Sequence, residues 1–261
     1  MLNRIRAVLI DLSGTLHIDD TAIPGAVEAL KRLRSSGIKV RFVTNTTKES
    51  SRSLHARLSS LGFEVDRKEM FSSLAAARLL AEERGLRPLL LVDQAAEEEF
   101  EGLPAPEQGP PNAVLVGLAP KRFDYQSLNQ AFRLVLDGAQ LIAINKSRYY
   151  QTKDGLSLGA GSFVAAIEFA TGKEAEVVGK PARSFFEASL KGLGVAAEEA
   201  IMIGDDVKDD VIGAIDAGIQ GLLVKTGKYR PGDEKKLAEG VVVAENFPEA
   251  VDRILRAKES N

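Results

Sequence analysis

Cysteine is absent from the 261 residues, and histidine occurs only at His17 and His55. The first absence excludes a disulfide framework, a thiolate metal site and a cysteine nucleophile. A reducing compartment is compatible with it. Two histidines cannot build a His-rich metal site, and they make a histidine-based triad a poor reading. Long apolar runs are also missing. None approaches the ~20 residues that a membrane helix needs, and the N-terminal apolar segment is too short for a signal-peptide core. The expectation is therefore a cytoplasmic protein without membrane contact. Charge of one sign is not in excess: 34 basic and 37 acidic residues leave a net −3. That balance gives no footprint for nucleic acid. What remains is 44% hydrophobic sequence, enough for one or two globular domains with a real core.

Strand and helix patterns alternate along the chain. "AVLIDL" is a continuous apolar run, as expected of a strand buried on both faces. "GAVEALKRLRSSG" places Val27, Leu30 and Leu33 on one helical stripe. "KVRFVTN", "SLHARLSSLG", "AIMIGDD", "DDVIGAIDAG" and "GLLVKTG" continue as strand, helix, strand, helix and strand. Such alternation predicts an α/β fold with a doubly wound, Rossmann-like parallel sheet. Ligands in these sheets bind at the carboxyl ends of strands.

Those ends carry an unusual set of side chains. One strand ends at Asp11, the next at Thr44 and Asn45, and "IMIG" at Asp205 and Asp206; Lys180 follows the short apolar run in "EVVGKP". Taken singly, each has a plain structural reading. An aspartate after a strand serves as a turn former or helix cap, and Asp209 is expected to cap its helix. Thr44 and Asn45 suit a turn, and Lys180 suits the surface. Taken together they suit phosphoryl transfer. A carboxylate can attack phosphorus and split one hard step into two. Anionic partners call for Mg²⁺, which takes hard oxygen ligands of the kind Asp11 and Asp205 offer. A hydroxyl, backbone N–H groups and a lysine can hold the phosphate charge.

"DLSGTL", "VTNTT", "GKP" and "GDDVKDD" resemble, in order and spacing, the four motifs of the haloacid dehalogenase superfamily of phosphatases. The resemblance implies Asp11 as nucleophile and magnesium ligand. It implies Thr44 and Lys180 as catalytic partners, with Ser13, Thr44, Asn45, Thr46 and Lys180 as phosphate contacts. The metal set is then Asp11, Ser13 through its backbone carbonyl, Asp205, Asp206 and Asp210. Spacing places a second domain between Thr44 and Lys180, where far more chain lies than one strand–helix unit requires. Residues 1–76 and 177–261 form the expected core, and 77–176 an inserted α/β domain resembling the family's type 2 cap. Within it "INKSRYYQTKDG" offers Arg148 and Tyr149, beside Asn145, Lys146 and Tyr150, as leaving-group contacts or as an inert surface loop. "LGAGSF" reads either as a phosphate cradle or as tight packing at a helix start.

Ser13 departs from the superfamily's usual Asp-x-Asp, whose second carboxylate protonates the leaving group. General acid–base help is worth ~10²–10⁴-fold, or about 3–5 kcal/mol of barrier. The expected activity is thus a Mg²⁺-dependent phosphatase of small phosphorylated substrates, slow or restricted to good leaving groups. A phospho-ligand binding or scaffold protein is the alternative, and a dehalogenase a weaker one, since it leaves the fourth-motif aspartates unexplained. A homodimer is compatible with either of the first two.

Overall fold

The structure is a computed structural model, described for residues 4–104, 109–152 and 155–259. It begins with β1 (Ala7–Asp11), buried at every position. A short hairpin of β2 (His17–Ile18) and β3 (Thr21–Ala22) follows, then α1 (Ala26–Ser35), β4 (Lys39–Thr44), α2 (Ser51–Ser60) and β5 (Met70–Ser72). The next stretch runs α3 (Ser73–Glu83), β6 (Pro88–Leu91), β7 (Ala113–Val116), α4 (Tyr125–Leu136) and β8 (Gln140–Ala143). It continues with the hairpin of β9 (Tyr149–Thr152) and β10 (Gly155–Leu158), α5 (Ala160–Thr171) and β11 (Glu176–Val177). The chain closes with α6 (Arg183–Leu190), β12 (Ala200–Gly204), α7 (Gly213–Asp216), β13 (Gln220–Val224), β14 (Val242–Ala244) and α8 (Phe247–Glu259). Among the described residues no helix is long and apolar enough to cross a membrane.

The chain divides into two compact units: Met1–Thr44, Ser53–Phe71 and Lys180–Asn261, and Asn45–Arg52 with Ser72–Gly179. The first is built on a six-stranded sheet in the order β14-β13-β12-β1-β4-β5. Its β1–β4, β1–β12, β12–β13 and β13–β14 pairs are parallel. The chain works outward from β1 through β4 to β5, then returns to the other side of β1 at β12. The switch point of the sheet therefore lies between β1 and β12, where this architecture opens a crevice. Alternation along the strands sets one core face. Val8, Ile10, Phe42, Ile201, Ile203 and Leu222 pack there with Leu30 and Leu33 of α1 and Val251 and Ile254 of α8. Burying each such side chain contributes about 1.5–3 kcal/mol.

The second unit holds a parallel sheet in the order β11-β8-β7-β6. The period of two is plain on β7: Ala113 and Leu115 face Leu74, Ala77 and Ala81 of α3, while Val114 and Val116 face Ala131 and Val135 of α4 and Val164 and Ile167 of α5. These compact units differ from the 1–76/177–261 and 77–176 partition drawn from spacing. Position 77 falls inside α3, whose N-cap is Ser72, accepting the Ala75 N–H at 3.1 Å. The Asn45–Arg52 segment joins the second unit because the buried Thr47 hydroxyl accepts the Leu118 N–H at 3.0 Å. At "LGAGSF" the outcome is tight packing. A Cβ on Gly159 would lie 2.2 Å from Ser147 O, and one on Gly161 2.5 Å from Lys146 O.

Candidate active site

Register brings the first-unit candidates to one edge. Ile10 pairs with Ile203, so the ends of β1 and β12 lie level, with Asp11 closing β1 and Asp205 just past β12. Asp11 pairs with Val43, which sets Thr44 one step further along β4. Thr44 is buried. Lys180 enters from the turn after β11, and its Nζ donates to Asp11 Oδ1 at 2.6 Å and to Asp210 Oδ1 at 2.6 Å. All three side chains are under a tenth exposed. Removing Lys180 would leave two buried carboxylates uncompensated, which costs several kcal/mol.

Each carboxylate is held by its own donors. Asp11 Oδ2 accepts from the Thr15 hydroxyl at 3.3 Å. Asp205 Oδ2 accepts the Lys228 backbone N–H at 2.6 Å. Asp210 Oδ2 accepts the Asp206 N–H at 3.1 Å. That last contact depends on a widened helical turn over Val207–Ile212. There the Asp206 carbonyl accepts from both Asp210 N–H at 3.0 Å and Val211 N–H at 3.3 Å, which swings Asp210 back toward the strand end. Asp206, not Asp209, caps this helix: its Oδ1 accepts the Lys208 and Asp209 N–H groups at 3.0 and 2.9 Å. It sits at the strand-to-helix junction, where the first amides point.

One oxygen from each of Asp11, Asp205 and Asp210 falls within 4.8 Å of the others. These three carboxylates, with Asp206 beside them, face two lysine ammoniums, Lys180 and Lys228. Burial, with the repulsion of Asp11 and Asp210, holds the Asp205 carboxyl well above its ordinary range. Burial likewise pushes Asp210 up to about 7, with Asp11 and Asp206 adding to the rise and Lys180 opposing it. Burial would lower the Lys180 ammonium, but Asp11 and Asp210 outweigh it and hold it charged. The excess of negative charge, the all-oxygen donor set and its span fit a small hard divalent cation. The backbone is shaped to match. Gly14 has φ 93°, and a Cβ there would lie 2.0 Å from Asp205 Oδ2; a Cβ on Gly227 would lie 2.1 Å from the same atom.

The structure thus gathers Asp11, Lys180, Asp205 and Asp210, with Thr44 at the neighbouring strand end. Asp206 is placed as a cap, its Oδ2 3.4 Å from Lys228 Nζ. The side chain of Ser13 is exposed, in a loop closed by Gly14 N–H to His17 O at 2.7 Å and by the Thr226 hydroxyl to Gly14 O at 2.5 Å. Asn45, Thr46, Arg148 and Tyr149 belong to the second unit; the first pair is half-buried and the second exposed. Thr15, Gly14, Gly227 and Lys228 escaped the sequence reading. The last two follow β13 in "GLLVKTGKY", so the rule applied to the other strand ends would have reached them.

Fold and site define a doubly wound α/β protein with a carboxylate–lysine centre at its switch point. A family model described as haloacid dehalogenase-like hydrolase matches residues 8–104, and a second, HAD-hydrolase-like, matches 177–250. Human haloacid dehalogenase-like hydrolase domain-containing protein 2 is 57% identical over 253 residues, 97% of this chain and 96% of that one. Rat phospholysine phosphohistidine inorganic pyrophosphate phosphatase is 43% identical over 264 residues, 98% and 96% of the two chains. Among solved structures, 4-nitrophenylphosphatase from Thermotoga maritima superposes with a TM-score of 0.89 at 27% identity, covering 97% and 98%. The chain belongs to the haloacid dehalogenase-like hydrolase family.

Proposed function

We propose that the protein is a Mg²⁺-dependent phosphatase acting through an aspartyl-phosphate on Asp11. The observation that carries this is Lys180 bridging Asp11 and Asp210 at 2.6 Å each, with Asp205 completing a cation-sized carboxylate set at the sheet's switch point. The phosphatase names of the relatives support it. Asp11, Asp205 and Asp210, with the Ser13 carbonyl, would hold Mg²⁺, which would supply neutralisation of the negative charge on nucleophile and phosphate.

A carboxylate oxygen of Asp11 attacks phosphorus, the bond from phosphorus to the leaving group breaks, and its electron pair departs with the leaving group. Water then attacks phosphorus, the acyl-phosphate P–O bond breaks, and Asp11 returns as a carboxylate. Lys180 steadies the charge on Asp11 throughout, and the Thr44 hydroxyl with Asn45 and Thr46 holds the phosphate oxygens. Thr15 orients Asp11 by its hydrogen bond. Asp206 acts from the metal side through the backbone it caps.

Ser13 offers no carboxyl to protonate the departing oxygen, so good leaving groups are favoured: aryl, acyl, P–N or pyrophosphate bonds. Arg148 and Tyr149 are the leaving-group contacts of this reading. The substrate is a small phosphorylated molecule, and the protein is cytoplasmic, as monomer or homodimer. Serine at position 13 in place of a carboxylate favours one second reading, a phospho-ligand binding or scaffold protein with little turnover. A screen of phosphorylated metabolites with Mg²⁺, including phosphoramidates and pyrophosphate, separates the two. Binding without turnover across the screen would establish the second.

A further inference from the structure

Two stretches that stand 100 residues apart are joined inside the second unit. Asn145, 5% exposed, donates from Nδ2 to Asn45 O at 3.2 Å and to the Thr47 hydroxyl at 3.4 Å. Its Oδ1 accepts from the Ser147 N–H at 3.3 Å and the Ser147 hydroxyl at 3.1 Å. An asparagine amide has two donors and two acceptor sites, and all four are used here. Aspartate would lose both donors, and alanine everything. The receiving side is equally fixed. Thr47 is buried, its oxygen also takes the Leu118 N–H, and Gly117 leaves it room: a Cβ there would stand 3.3 Å from Thr47 Cβ. The same two loops meet again where Lys48 Nζ lies 3.8 Å from the Tyr150 ring centroid. The backbone that leaves Thr44 is therefore anchored by Asn145 one residue later.

We propose that Asn145 is a positioning residue for the Asn45–Thr47 segment. Acting through Asn45 O and the Thr47 hydroxyl, it sets the phosphate-contact loop and ties it to the Arg148–Tyr150 loop that meets the leaving group. This rests on the reading of Asn45 and Thr46 as phosphate contacts. A donor misplaced by ~1 Å can cost ~10²-fold in rate, so a lost anchor is felt at the phosphate. The loops that hold the phosphate and its leaving group then move as one piece, and specificity follows from their shared anchor.

The test uses the full-length protein with Mg²⁺, measuring kcat and KM on 4-nitrophenyl phosphate and inorganic phosphate affinity by calorimetry. Asn145→Ala and Thr47→Val should each weaken phosphate affinity and lower kcat/KM, on the order of ten- to a hundredfold. Thr47→Ser, which keeps the hydroxyl, should restore both. Val135→Ala, a cavity under α4, should lower Tm and leave phosphate affinity alone. Wild-type phosphate affinity and kcat/KM in Asn145→Ala would overturn the assignment while the phosphatase reading stood. The same losses in Val135→Ala would also overturn it, by showing a merely structural role. A wild-type protein that neither binds phosphate nor turns over would remove the phosphatase reading, and this inference with it.

Discussion

Asp11 and Lys180 stand 169 residues apart in the chain and 2.6 Å apart in the fold. Asp11 closes β1 and Lys180 follows β11, so the contact is a product of the tertiary fold and of no local pattern. It also explains why a buried lysine is tolerated: Asp11 and Asp210 both accept hydrogen bonds from its ammonium.

The nucleophile can be isolated by one atom. Asp11→Asn keeps the shape and leaves Lys180 paired with Asp210, so the fold should survive. Turnover of aryl phosphate should fall on the order of 10³-fold or more. Mass spectrometry of the rapidly quenched native enzyme should place a phosphoryl group on Asp11. A phosphoryl group on another residue, or near-native turnover in the mutant, would contradict the assignment.

Metal dependence has a sign on stability as well as on activity. Chelation should abolish turnover, and Mg²⁺ should restore it. Asp205→Asn keeps an oxygen for the Lys228 N–H but removes a charge that Asp11 and Asp210 repel. The Mg²⁺ concentration for half-maximal activity should rise at least about tenfold. The metal-free mutant should melt no lower than the metal-free native protein, because a buried like-charge repulsion has been relieved. A Mg²⁺ titration and a melting curve in chelator check both halves.

The glycine beside the carboxylates should be as sensitive as the carboxylates. Gly14→Ala puts a side chain at φ 93° and drives a carbon to 2.0 Å from Asp205 Oδ2. The backbone strain costs about 1–3 kcal/mol, and Asp205 must move. Tm should fall, and the Mg²⁺ requirement should rise with it. Native metal dependence in this variant would show that Asp205 takes no part in binding the ion.

The leaving group reports on Ser13. Rates for a series of phosphate esters should depend steeply on leaving-group pKa in the native protein. Ser13→Asp supplies a carboxyl at an exposed position, where the substitution meets no packing cost. The gain should reach ~10²-fold or more for alkyl phosphates and be smaller for aryl and acyl phosphates. Mg²⁺ affinity should barely change, since this position offers the metal its backbone carbonyl. Native hydrolysis of alkyl esters as fast as aryl ones would mean that another group supplies the proton.

Sequence by itself determined the parts whose signals are local. A run such as "AVLID" must be buried on both faces, a stripe such as Leu30 and Leu33 must face a core, and polar groups that end such strands must gather where the sheet opens. Asp11, Thr44, Lys180 and Asp205 were legible for that reason. Tertiary structure decided what depends on partners far along the chain. No local period says that β12 lies beside β1, that the Lys228 N–H holds Asp205, or that Gly14 and Gly227 must stay bare to admit it. The widened turn that makes Asp206 the cap and returns Asp210 to the site also packs Val207 and Val211 against Leu223, a partner distant in the chain. Asn45 read with Thr44 as the end of a strand, yet Asn45–Arg52 belongs to the second unit, where Leu118 and Asn145 satisfy Thr47. Strand and helix periods act over a few residues. Hydrogen bonds between buried groups bind whichever partners the finished fold brings within 3 Å or so, and only the fold names them.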